Sequence, residues 1–86
     1  MAKEPRQGSV EVAGMTWLAR MIDKARLEKT GEIEQFDLDY PCPMDQNLLK
    51  QLGINATLFQ QIAFSNQDDA VIVDELKKAG AVLPHS

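Results

Sequence analysis

One stretch decides the fold: residues 16–29, TWLARMIDKARLEK. Its apolar side chains recur at intervals of three and four and fall on one face of a helix: Leu18, Met21, Ile22 and Ala25. The charged side chains fall on the opposite face: Arg20, Asp23, Lys24, Arg26 and Glu28. Thr16 is a suitable N-cap, and Gly31 stands where helices commonly end. The pattern predicts an amphipathic helix.

The segment after this helix has a different period. Phe36, Leu38 and Tyr40 alternate with Asp37 and Asp39, which is typical of a strand with one buried face. A single strand needs a partner. We expect residues 36–40 to be extended, and to pair, if they pair, with residues 10–12 as a two-stranded ribbon or with a second copy of the chain.

Three further helices follow. Pro43 suits a first helical position, with Cys42 as the cap residue and Asp45 able to reach back to a free N–H. Asn55 caps the next helix, and Ser65 with Asp68 predicts a capping box for the last, which runs through Lys78.

The fold class is therefore mainly α: a small bundle of about four helices with one short extended segment after the first. We expect a flexible N-terminal arm over residues 1–13, one helical domain over 14–80 and a C-terminal tail over 81–86. The side chains expected to be buried together lie at the centres of three apolar faces: Leu18, Ile22, Phe59, Ile62 and Leu76.

Composition excludes several classes of function. The net charge is −4, with 9 basic and 13 acidic side chains, which disfavours binding to nucleic acid or to an anionic membrane. No apolar run approaches the roughly 20 residues of a membrane span, and the N-terminus lacks the apolar core of a signal peptide. Cys42 is the single cysteine, so no internal disulfide can form. We expect a cytoplasmic protein.

Two groups of residues are candidates for a ligand or partner surface. Arg20, Lys24 and Arg26, with Asp23 among them, could hold an anionic group. The alternative is a solvated face, or one covered within the fold by the acidic stretch that runs to Asp45.

The second group is Cys42 with Asp45. A sulfur at a helix N-terminus is close to unpaired N–H groups that favour a thiolate, whereas the nearby carboxylate opposes it. Cys42 as an unreactive cap residue is the alternative. The glycine-bearing loop of a calcium site and the usual catalytic motifs are missing. The single histidine, His85, lies in the C-terminal tail, where it is a poor metal ligand or general base. We therefore predict no metal and no cofactor.

Three motifs resemble a family of small bacterial proteins, the domain-of-unknown-function family 5069. They are LARMIDKAR at residues 18–26, CPMDQ at 42–46 and LGIN at 52–55 before Phe59. Met44 and Pro41 depart from the family pattern. The resemblance implies a compact helical domain and supplies no functional residues.

We interpret the chain as a non-catalytic binding or interaction module, an accessory subunit or adaptor. Its expected partner is another protein, or a second copy that pairs through residues 36–40, where the alternating segment could add a strand to a sheet. The alternative is a small thiol- or carboxylate-dependent enzyme centred on Cys42 and Asp45, with Arg20, Lys24 and Arg26 binding the substrate.

Overall fold

A computed structural model describes residues 4–83 of the chain. It contains four α-helices, with no strand among the described residues: α1 (Leu18–Thr30), α2 (Pro43–Leu52), α3 (Ala56–Ser65) and α4 (Asp69–Lys78). Helix α1 packs against α3, and α3 packs against α4. The prediction of a mainly α bundle of four helices is confirmed.

The helix ends follow the expected chemistry, with two exceptions. Gly31 and Gly53 end α1 and α2 in the left-handed region that glycine adopts without strain, and the Asn55 side chain accepts the Leu58 N–H. Thr16 is not the cap of α1, which begins after Trp17. The predicted capping box at Ser65 is also wrong, because Ser65 is the last residue of α3 and Asp68 caps α4 instead.

The alternating segment is not a strand. Residues Glu32–Phe36 form a 3-10 helix, and Asp37 follows in the left-handed region with φ 53°. The alternation is nevertheless visible as burial, because Phe36, Leu38 and Tyr40 are half-buried while Asp37 and Asp39 are exposed. The period-two pattern thus arises from a chain that lies along the domain surface without any ladder partner among residues 4–83.

The described part of the predicted N-terminal arm, residues 4–13, packs against the domain. Pro5 is buried, and the backbone N–H of Trp17 donates to the Gly8 carbonyl at 2.7 Å. Val12 pairs with Met15, not with residues 36–40, across a tight turn. Of the predicted tail, residues 84–86, including His85, lie outside the described residues.

The core lies between α1 and the three later helices. Leu18, Ile22, Phe59 and Leu76 are fully buried in one cluster, as predicted, whereas Ile62 is half-buried at its edge. The other buried apolar side chains of the cluster come from every helix and from both flanking segments: Met15, Met21, Ala25, Leu48, Leu49, Leu52, Ala63, Ile72 and Leu83.

We predict that Ile22→Ala or Phe59→Ala lowers the free energy of unfolding by about 2–5 kcal/mol, because each leaves a cavity in a fully packed core. Urea denaturation followed by circular dichroism measures the loss. Gln61→Ala, at an exposed position on α3, is the matched control and should stay within about 0.5 kcal/mol of the wild type. Equal stability of Phe59→Ala and the control would contradict the core assignment.

Candidate functional site

An ion pair lies buried at the junction of α1 and α2. The Lys24 ammonium of α1 is 2.8 Å from the Oδ2 atom of Asp45, which lies in the first turn of α2. Their side chains are 2% and 0% exposed. The sequence placed Lys24 on the solvent face of α1 with Arg20 and Arg26. That placement is wrong, because the α2 carboxylate draws the ammonium into the interior.

Asp45 is fully satisfied by donors. The Trp17 indole N–H donates to Oδ1 at 2.7 Å, and the Cys42 backbone N–H donates to Oδ2 at 3.0 Å. The second of these is the capping hydrogen bond between the Asp45 side chain and the N–H of the cap residue, which the sequence predicted. Together with Lys24, these donors offset the cost of removing a carboxylate from water. The α2 N-terminus adds a favourable partial positive charge.

Cys42 shares the same ammonium. The Lys24 Nζ atom donates to Cys42 Sγ at 3.1 Å, and the thiol is only half-buried. The sequence brought Cys42 and Asp45 together at the start of α2, but it gave no indication that Lys24 joins them. The sulfur of a half-buried residue therefore lies in contact with a buried amine.

The indole ring of Trp17 lies against this cluster, and the Trp17 backbone is strained. Its φ of 74° is costly for a bulky residue, and its hydrogen bonds to Asp45 and to the Gly8 carbonyl hold it there. Lys24 Nζ lies 5.8 Å from the ring centroid and Arg20 Cζ lies 5.5 Å from it. A Cβ atom at Gly8 would lie 2.5 Å from the indole, so only glycine permits this contact.

A second charged cluster ties the N-terminal segment to α1 and α4. Arg6 donates to Asp23 at 2.9 Å and to Asp69 at 2.5 Å, and its backbone N–H donates to Asp23 at 2.8 Å. The side-chain hydrogen bonds that Arg6 donates, first to Asp69 and then to Asp23, raise the pKa of Arg6. The hydrogen bond from Arg6 in turn holds the pKa of Asp69 below its ordinary value of 3.8. Arg6 carried no signal in the sequence, because it belongs to no periodic segment.

The remaining residues of the predicted surface also have partners within the chain. Arg26 donates to the Ala63 carbonyl at 2.9 Å and to the Asn66 carbonyl at 2.6 Å, which covers the end of α3. It also lies 3.6 Å from Asp23, three residues earlier on the same face of α1. Arg20 donates to the Arg6 carbonyl at 3.2 Å. The six candidate residues thus fall into two clusters: a buried one around Lys24 and Asp45, and a partly exposed one around Asp23.

Tyr40 makes, through its hydroxyl, a contact within the chain that the alternating pattern did not predict. Its hydroxyl donates to the Ala56 carbonyl at 2.8 Å, which fastens the segment before α2 to the start of α3. Burial, followed by the negative charges of Asp45 and Glu28, raises the pKa of this hydroxyl. The need of a half-buried tyrosine for a polar partner was the available signal.

An apolar groove lies beside the ion-pair cluster. It has a volume of about 550 Å³, and Pro41, Leu49, Ile54, Ala56 and Leu58 supply apolar side chains to it. Lys50 is the one charged residue in the described lining. In residues 4–83, no group of three or more His, Cys, Asp and Glu side chains is placed to hold a metal ion. None of the helices in the same residues is long and apolar enough to cross a membrane.

We predict that Asp69→Asn destabilises the protein at neutral pH and that the difference from the wild type shrinks as the pH falls. A carboxylate whose pKa is depressed by folding stabilises the fold above its ordinary pKa and loses that effect as it becomes protonated. The difference in unfolding free energy should therefore decline below about pH 4. Urea titrations between pH 3 and pH 7 measure it.

Asp74→Asn is the control, because its pair with Lys78 is exposed at 3.7 Å and contributes little. A difference between Asp69→Asn and the wild type that is constant over the whole pH range would contradict the Arg6–Asp69 bond.

The comparisons with known proteins identify the family and nothing narrower. The sequence matches no curated protein. The model of a domain of unknown function, DUF5069, matches residues 2–85, which is nearly the whole chain. The three motifs in α1, at the start of α2 and before α3 had indicated the same family, and the match extends over the N-terminal segment that carries Arg6. The chain belongs to the DUF5069 family.

Proposed function

We propose that this chain is a non-catalytic interaction module that binds another protein. The observation that carries the proposal is the internal use of its charged site residues. Lys24 and Asp45 are buried against each other, and Arg26 is bonded to carbonyl groups of its own chain. A catalytic site needs its charged groups directed at a substrate, whereas these groups hold helices together.

The apolar groove is the surface that we propose for the partner. The groove is shallow and open, and its lining is mostly apolar, which suits the side chains of a short segment of another protein. Lys50 adds one positive charge to this lining. We therefore infer that the bound segment carries apolar side chains and a carboxylate that pairs with Lys50.

Two further expectations stand as parts of this proposal. We place the protein in the cytoplasm of a bacterial cell, on the strength of its single free cysteine and the bacterial family that it resembles. A homodimer through residues 36–40 stays a prediction, and it lacks the strand that it presupposed, since Glu32–Phe36 is a 3-10 helix.

The second candidate function, a small thiol-dependent enzyme, is favoured by the contact of 3.1 Å between Lys24 Nζ and Cys42 Sγ. A positive charge at this distance stabilises negative charge that develops on a sulfur nucleophile as it reacts. The same ammonium is also bonded to Asp45, which competes for it.

We predict that Leu58→Glu abolishes the co-purification of a partner protein with the tagged chain from its native cells. A glutamate at position 58 would repel the carboxylate of the partner's bound segment and would remove an apolar side chain that contacts it. Lys50→Glu should weaken capture, whereas Gln61→Glu, an exposed change on α3 outside the groove lining, should leave it unchanged. The measurement is quantitative mass spectrometry of the captured proteins, with melting temperatures to verify folding.

Capture that is equal for Leu58→Glu and Gln61→Glu would contradict the groove. An activity of the purified chain that is lost in Cys42→Ser and kept in Lys50→Glu would establish the enzyme in place of the module.

A further inference from the structure

The contact between Cys42 and Lys24 serves no role in the proposed interaction function. Lys24 is 98% buried, with its amine held at 3.1 Å from Cys42 Sγ and at 2.8 Å from Asp45 Oδ2. Cys42 as a residue is half-buried and lies immediately before α2. A small oxidant can therefore reach the sulfur from solvent, while a nitrogen nucleophile lies against it from the interior.

We propose that Cys42 is a site of reversible oxidation by hydroperoxides and that Lys24 captures the oxidised sulfur as a sulfenamide. The product is a covalent Sγ–Nζ bond that joins α1 to the residue before α2. This inference is independent of the groove and of any partner bound there.

The first step is oxidation of the thiol by a hydroperoxide such as hydrogen peroxide. The sulfur attacks one peroxide oxygen, the O–O bond breaks, and the products are a Cys42 sulfenic acid and one water molecule. The sulfur loses two electrons and the peroxide gains them. The ammonium at 3.1 Å favours this step, because it stabilises negative charge on the attacking sulfur.

The second step forms the bond to nitrogen. Lys24 transfers one proton to Asp45, its acceptor at 2.8 Å, and the resulting neutral amine attacks the sulfur. The S–O bond breaks, and the departing hydroxide leaves as water with a second proton from the nitrogen. No electrons are exchanged with another molecule in this step, and the products are the sulfenamide, protonated Asp45 and water.

A small-molecule thiol reverses the modification. Its thiolate attacks the Cys42 sulfur and releases the Lys24 amine, which takes up a proton, and a mixed disulfide forms. A second thiol then releases Cys42 as a thiol and leaves as the external disulfide. The two electrons return to the sulfur from the external thiols.

Two observations favour Lys24 as the capturing group. The chain has no second cysteine, so a sulfenic acid at Cys42 has no thiol within the chain to form a disulfide with. Asp45 is fixed by Trp17 and by the Cys42 N–H, so the proton acceptor and the amine are both held in place beside the sulfur. A nucleophile held in contact with its target reacts far faster than one in solution.

The experiment treats the full chain with hydrogen peroxide and follows its intact mass with and without dimedone, a probe that alkylates sulfenic acids. Wild-type protein should lose two hydrogen atoms in mass, take up little dimedone and regain its original mass with dithiothreitol. Peptide mapping should show residues 24 and 42 joined. Cys42→Ser should not change in mass through this reaction.

Lys24→Arg is the matched variant, because it keeps a cation beside the sulfur but lacks an amine that can attack it. We expect this variant to accumulate the sulfenic acid and to take up dimedone several-fold more than the wild type. Equal labelling of the two proteins would overturn the proposal. If Lys24→Arg fails to fold, the wild type still decides: a chain that gains oxygen and reacts with dimedone refutes capture by Lys24.

Discussion

Burying Lys24 and Asp45 inside so small a fold carries a desolvation cost that the surrounding structure has to offset. The two charges neutralise each other, and the carboxylate gains two further donors, from Trp17 and from the backbone of Cys42. Each of these groups belongs to a different part of the chain: Trp17 precedes α1, Lys24 lies within it, and Cys42 and Asp45 begin α2. The arrangement of these segments therefore depends on one carboxylate.

The N-terminal segment closes over the outer side of this arrangement. Trp17 adopts a strained backbone to reach Asp45, and Gly8 lies against its indole ring because no side chain fits there. Arg6 then fastens the same segment to Asp23 and Asp69, on α1 and α4. Two charged clusters, one buried and one partly exposed, thus contact α1 through the adjacent residues Lys24 and Asp23. The charged residues that the sequence pattern assigned to a ligand surface make these contacts within the fold.

The sequence predicted the local structure well because local structure depends on near neighbours. Glycine at Gly31 and Gly53, the Asn55 cap and the reach of Asp45 to Cys42 all involve residues within a few positions of one another. Contacts between distant residues could not be predicted this way. Periodicity placed Lys24 on a polar face, since nothing in α1 itself indicates a buried carboxylate 21 positions later. Arg6 contacts a residue 63 positions away, and the alternation that resembled a strand reflects burial without pairing.

A double-mutant cycle on Lys24→Met and Asp45→Asn tests most directly whether this ion pair organises the domain. Each single change leaves one buried charge without its partner and should lower the free energy of unfolding by about 3–5 kcal/mol. The double variant buries neither charge, so its loss should be smaller than the sum of the two by about 0.5–3 kcal/mol, measured by urea denaturation. Strictly additive losses, or single variants as stable as the wild type, would show that the fold does not depend on the pair.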